Sequence, residues 1–137
     1  MKADRDFSRM RAAVLIALVL SVAALTLVCI IPQLVMDGLE RGLSPALASA
    51  KEKAHSEEPS DALIDIAFIR EKLDAEREKL MALFSHGEIV ELMRAARAAE
   101  AIAPTGDAAQ LLAELTALET ALSHLSELNR TTLANLF

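Results

Sequence analysis

The sequence predicts an all-α protein: a single N-terminal transmembrane helix followed by a small extracytoplasmic helical hairpin or three-helix bundle of coiled-coil character. Three observations predict it. Residues 12–31 contain no charged side chain. Hydrophobic residues make up 53% of the chain, yet aromatics only 3%, with no Trp or Tyr. Near the end, Leu111, Leu115, Leu118, Leu122 and Leu125 recur at helical spacing. Leucine and alanine dominate, and Gly and Pro number four each. That composition favours helix and disfavours a β-sandwich or barrel, which draws on β-branched and aromatic residues and frequent turns.

The first element is the apolar run. At ~1.5 Å per residue, 20 residues cover about 30 Å, the thickness of a hydrocarbon core. Apolar character continues to Met36. A cleavable signal peptide has a shorter apolar region, about 7–15 residues, with a small-residue site close behind it. Here the nearest such site, Ala48-Ser49-Ala50, lies well beyond the run, so an uncleaved anchor is expected. Lys2, Arg5, Arg9 and Arg11 precede the run, whereas only Arg41 and then Lys51 follow closely. Basic residues stay on the cytoplasmic side, which places the N-terminus there and the rest across an inner (plasma) membrane, in the periplasm of a Gram-negative cell. The run carries no ionisable group for a proton or ion path. Ala13, Ala17, Ser21 and Ala24 form a small-residue face of the kind that lets transmembrane helices pack closely. The lone cysteine, Cys29, lies within the run and reads as an apolar filler.

The expected domain order is a cytoplasmic N-terminus over 1–11, a transmembrane helix over 12–36, a stalk over 37–60 and a helical bundle over 61–137. Asp37-Gly38, Gly42, Pro45 and Pro59 punctuate the stalk. Ser44-Pro45 favours a short helix from Pro45 to about Ser56. Ser60 or Asp61 caps the next helix, over 62–84, whose stripe is Ile66, Ile69, Leu73 and Leu80. Ser85-His86-Gly87-Glu88 fits an S-x-x-E capping box ahead of a helix over about 88–103. Pro104-Thr105-Gly106-Asp107 is a turn, and Asp107 caps the final helix. Its leucine stripe faces that of helix 62–84. Asn129 falls at a seam position, where a polar side chain fixes register. So few large side chains in 61–137 leave a thin core, which predicts completion by a second chain.

Chemistry is sparse. Residues 37–137 hold 10 basic and 18 acidic side chains, net −8, which repels phosphate and argues against nucleic acid. His55, His86 and His124 are not paired at helical spacing, so no metal site is predicted. There is no nucleophile elbow, phosphate loop or dinucleotide fingerprint, and neither an enzyme nor a cofactor is expected. The leading expectation is a non-enzymatic, single-pass accessory or scaffold subunit of a bacterial envelope complex. Its partners are membrane lipid and other membrane or periplasmic proteins, including further copies of itself. A sensory input domain acting laterally on a membrane partner and a spanin-type phage lysis protein are the alternatives. The interaction residues expected are Leu111, Leu115, Leu118, Leu122, Leu125 and Asn129, with Ile66, Ile69, Leu73 and Leu80 opposite.

Overall fold

The computed structural model describes residues 2–56 and 58–134, with side chains described for 10–56, 58–128 and 130. Among these residues the chain is all-helical, with no strand. The helices are α1 (Lys2–Ala54), α2 (Leu63–Leu83), α3 (His86–Ile102) and α4 (Ala108–Ala134). Short 3₁₀ turns at Pro59–Ala62 and Ala103–Thr105 lead from α1 into α2 and from α3 into α4. The chain divides into two units, Met1–Pro32 and Gln33–Phe137.

In the first unit, α1 is long and apolar enough to cross a membrane, and none of its most apolar stretch is buried. Val14, Leu18, Val22 and Leu25 are all more than half exposed. The small-residue face of Ala13, Ala17, Ser21 and Ala24 is exposed as well. The Ser21 hydroxyl donates to the Ala17 carbonyl at 2.8 Å, which satisfies it within the helix.

The second unit departs from one expectation. The stalk expected over 37–60, with a short helix from Pro45 to about Ser56, has no break at its start: α1 runs on through Gly38, Gly42 and Pro45 to Ala54. Its row of Met36, Leu39, Leu43, Leu47, Ala50 and Ala54 is buried, each residue 5% exposed or less. Local signals oppose helix here. Pro45 lacks an N–H and crowds the preceding turn, at about 3 kcal/mol, and Gly38 and Gly42 cost about 1 kcal/mol each relative to Ala. Burial outweighs them, since each fully buried Leu or Met is worth about 1.5–3 kcal/mol and four lie in this row. Alongside α2, α3 and α4, the α1 segment of the same chain contributes a fourth buried row to the core.

Contacts at each seam set the order. Asp65 on α2 accepts from Ser49 and Lys53 on α1 at 2.8 and 2.7 Å. Arg70 on α2 pairs with Glu100 on α3 at 2.7 Å. Arg94 on α3 pairs with Glu114 on α4 at 3.5 Å, and Lys51 on α1 with Glu119 on α4. Neighbours run antiparallel: Asp74 meets Arg97 while Arg70 meets Glu100, and Lys72 lies over Gly42 while Asp65 meets Lys53. Residues 33–54, α2, α3 and α4 therefore make an up-down-up-down four-helix ring. Ala95, Ala96 and Ala99 on α3 are buried, and close backbone approach is concentrated where α3 meets α2 and α4. The α1 segment packs through longer side chains.

The turn at 104–107 matches the sequence, whereas two expected caps do not form: α2 has Ala62 at its N-cap with no side-chain cap hydrogen bond, in place of Ser60 or Asp61, and Ser85 leaves α3 uncapped by its side chain. Asp107 Oδ1 accepts from the Gln110 amide at 3.0 Å, capping α4. Gly106 takes a left-handed φ of 74°, which a side chain would disfavour. Ser85 sits at the N-cap of α3 as expected, but its side chain makes no cap hydrogen bond. The backbone turns there, with the Ile89 amide bonding the Ser85 carbonyl at 3.2 Å.

Candidate functional site

The residues expected to recognise a partner are placed by the structure in the core. Leu111, Leu115, Leu118, Leu122 and Leu125 are 6% exposed or less, and Ile66, Ile69, Leu73 and Leu80 1% or less. All nine belong to one buried cluster. The stripes of α2 and α4 do share a core, but α1 and α3 enclose it with them, so no leucine of the seam is presented outward. The side chain of Asn129 lies outside the described residues. Ser126, one turn earlier, is buried.

Surface capable of recognition must therefore lie on the outside of the ring. Ile64 is 78% exposed, Phe68 48%, Val90 46% and Leu128 40%. Ile64 and Phe68 stand one turn apart on α2, and the Lys72 ammonium sits 5.8 Å from the Phe68 ring centre, within cation–π range. Val90 belongs to a different feature, an open groove of about 550 Å³ between α2 and α3. Its apolar floor is Met81, Val90 and Met93, and its rim is Arg77, Arg94 and Arg97.

The groove follows from the local sequence. On α3, Arg94 and Arg97 are three residues apart and share a face. Arg94 contacts Glu91, with Nη2 2.9 Å from Oε1. Arg97 reaches Asp74 at 3.2 Å. Hydrogen bonding from Arg94 holds the Glu91 carboxyl below its ordinary range. The bond to Glu91 raises Arg94 in turn. Deeper in the same seam, hydrogen bonds to Glu100 and then Asp74 raise Arg70. These groups stay charged at neutral pH. Arg70, Arg77, Arg94 and Arg97 are four of the six arginines in residues 37–137, and at this seam they meet Asp74, Glu91, Glu100 and Glu114, so the charge there is balanced within the chain.

No family model matches the chain, and neither curated proteins nor solved structures gave a match. What the surface can do rests on its own geometry. Among the described residues, no three His, Cys, Asp or Glu side chains come together as a metal group. His55 and His86 are exposed. His124 lies 3.9 Å from Glu88 across the α3–α4 seam. The groove was not visible to sequence reasoning because it depends on the α2–α3 register. The one available signal was the Arg94/Arg97 spacing beside the half-exposed Val90.

Proposed function

We propose that this protein is a non-enzymatic, membrane-anchored accessory or scaffold subunit that holds a helical binding domain on the extracytoplasmic side of a bacterial plasma membrane. The observation that carries the reading is the contrast between the two units. The apolar side chains of Met10–Ile31 are left uncovered, at 44% exposure or more for each large one, over a length that matches a bilayer. Water does not tolerate such a surface, and lipid does. The second unit, in contrast, encloses its own core with four helices from one chain. With its large leucines inside, what it would offer a partner is its outer surface.

The orientation is supported by four basic residues ahead of the apolar segment against two sparse ones after it. The face of Ala13, Ala17, Ser21 and Ala24 would add lateral packing to another membrane helix. The test has two parts. The full chain, expressed in a Gram-negative host, is expected to resist alkaline carbonate extraction. A C-terminal alkaline phosphatase fusion is expected to be active, and a C-terminal green fluorescent protein fusion dark. Release by carbonate, or the reverse reporter pattern, would remove the anchor or its orientation. Affinity purification in mild detergent is expected to recover a stoichiometric protein partner.

A further inference from the structure

The seam between α1 and α2 holds an open pocket of about 310 Å³, lined by Leu34, Val35 and Gly38 on one side and by Lys72, Glu76 and Lys79 on the other. Its two walls differ in chemistry. Leu34 is 63% exposed and gives the pocket an apolar edge. On the α2 side, Lys79 and Glu76 pair at 2.8 Å and cancel each other. Lys72 therefore sets the sign of the pocket. Among the described residues Lys72 forms no ion pair, and its ammonium lies over the Phe68 ring. The glycines of α1 belong to the same seam. A Cβ on Gly42 would stand 2.6 Å from the Lys72 Nζ, so the missing side chain is the seat on which Lys72 lies across α1. Gly38 lines the pocket itself, and a Cβ there would meet nothing within 4 Å. Glycine weakens a helix relative to alanine. Lys72 accounts for Gly42. No described atom of the chain accounts for Gly38, and glycine is the residue that lets a ligand approach backbone closely.

The sequence limits which ligand is within reach. Leu34 is the third residue after Ile31. Three residues span at most about 10 Å, and the headgroup layer is about 5–8 Å deep on each side of the hydrocarbon core. We propose that this pocket binds the headgroup of a single anionic phospholipid from the bilayer that holds the anchor. Its phosphate engages Lys72 through a charge-assisted hydrogen bond. The glycerol lies against Gly38, and the first methylenes of the acyl chains follow Leu34 and Val35. The proposal rests on the anchor reading above and adds a lipid partner to it. A single lipid is favoured over a broad anionic surface. Residues 37–137 carry net −8 and repel an extended negative sheet, whereas one phosphate meets one unmatched ammonium.

The test uses the full chain, stripped of lipid in nonionic micelles, and native mass spectrometry to count bound copies. The probes are phosphatidylglycerol and phosphatidylcholine with the same acyl chains. Wild type is expected to hold one phosphatidylglycerol more tightly than phosphatidylcholine. Lys72→Met keeps the side-chain stem and removes the charge. It is expected to weaken phosphatidylglycerol binding at least about tenfold, near 1.4 kcal/mol, with far-ultraviolet dichroism unchanged. Gly38→Ala is expected to weaken it as well while the urea midpoint rises, a pair of outcomes that damage to the fold does not produce. Arg77→Gln removes an exposed cation outside the pocket and is expected to leave binding unchanged. Equal retention of the two lipids, a preference intact in Lys72→Met, an affinity unaltered in Gly38→Ala, or a loss in Arg77→Gln as large as in Lys72→Met would overturn the proposal. So would displacement of the lipid by millimolar inorganic phosphate, which would assign the pocket to a free anion. Carbonate extraction of wild type separates the two readings. A chain that stays in the membrane yet shows no lipid preference condemns the pocket alone, and a chain released by carbonate removes the anchor and the proposal with it.

Discussion

The sharpest prediction concerns Leu43, because it separates a four-helix ring from a three-helix bundle on a stalk. Leu43 is 2% exposed and lies in the row that α1 turns toward the core. Truncating a buried leucine to alanine removes its transfer free energy and leaves a cavity, together about 2.7–5 kcal/mol. For a domain of roughly 100 residues each kcal/mol moves Tm by about 4–8 °C, so Leu43→Ala is expected to lower it by at least roughly 10 °C. Leu118, also 2% exposed but on α4, serves as the internal standard. Leu118→Ala is expected to cost a similar amount. Glu52→Ala, at an exposed position of the same α1 segment, is expected to stay within about 0.5 kcal/mol. The assay is thermal and urea unfolding of the full chain in mild detergent, followed by far-ultraviolet dichroism. If Leu118→Ala destabilises as stated while Leu43→Ala behaves like Glu52→Ala, then α1 is not part of the core and the four-helix argument fails.

Three further expectations follow from particular residues. Gly38 is exposed inside α1, and a methyl group there meets nothing within 4 Å, so Gly38→Ala should stabilise the second unit by about 0.5–1 kcal/mol, read as a higher urea midpoint. Leu118→Asp buries an unpaired charge and should unfold the second unit while leaving the chain in the membrane fraction; a folded but unassembled variant would contradict this. Burial works against ionised Asp65, but the hydrogen bonds from Lys53 and Ser49, with the Lys53 charge, outweigh it and hold the carboxyl below its ordinary value. A lowered folded-state pKa gives stability that is complete above the unfolded value, about 3.9, and lost as pH falls through the folded one. The stability gap between wild type and Asp65→Asn should therefore be constant near neutrality and close only below about pH 4, as tracked by urea titrations across that range.

Much of the architecture is legible in the sequence, and the two largest misses, the α1 extension and the α2–α3 groove, share one cause. The uncharged run at 12–31, the turn at 104–107 and the three helices after Pro59 can be read from composition, periodicity and capping residues, and α2 to α4 form within a residue or two of where those signals place them. Ile66, Ile69 and Leu73 do lie in one core with the leucines of α4, but the neighbours of α2 are α1 and α3, and α4 stands diagonally across the ring rather than facing α2 as its next helix. The α1 extension was hidden because Gly38, Gly42 and Pro45 speak locally for a break. Meanwhile the row at 36, 39, 43, 47, 50 and 54 ends in two alanines that signal weakly. Tertiary burial overrode propensity, which a reading of one segment at a time cannot register. The same limit hid the arginine groove, since no single helix contains it. The capping box at 85–88 failed in the other direction: the pattern is present, but the Ser85 hydroxyl does not close it.

The ring has a consequence for the order in which the protein comes together. Lys51 and Glu119 close the α1–α4 seam across 68 positions of sequence, whereas α2 meets α3, and α3 meets α4, across short turns. Loop-closure entropy makes the local hairpins quick and the long-range seam late. The row from Met36 to Ala54 is made first and covered last. Until α4 has been synthesised, four large apolar side chains of α1 stand open. That interval exposes the chain to aggregation and to chaperones, and it makes the arrival of α4 the step that commits the newly made protein to its final form.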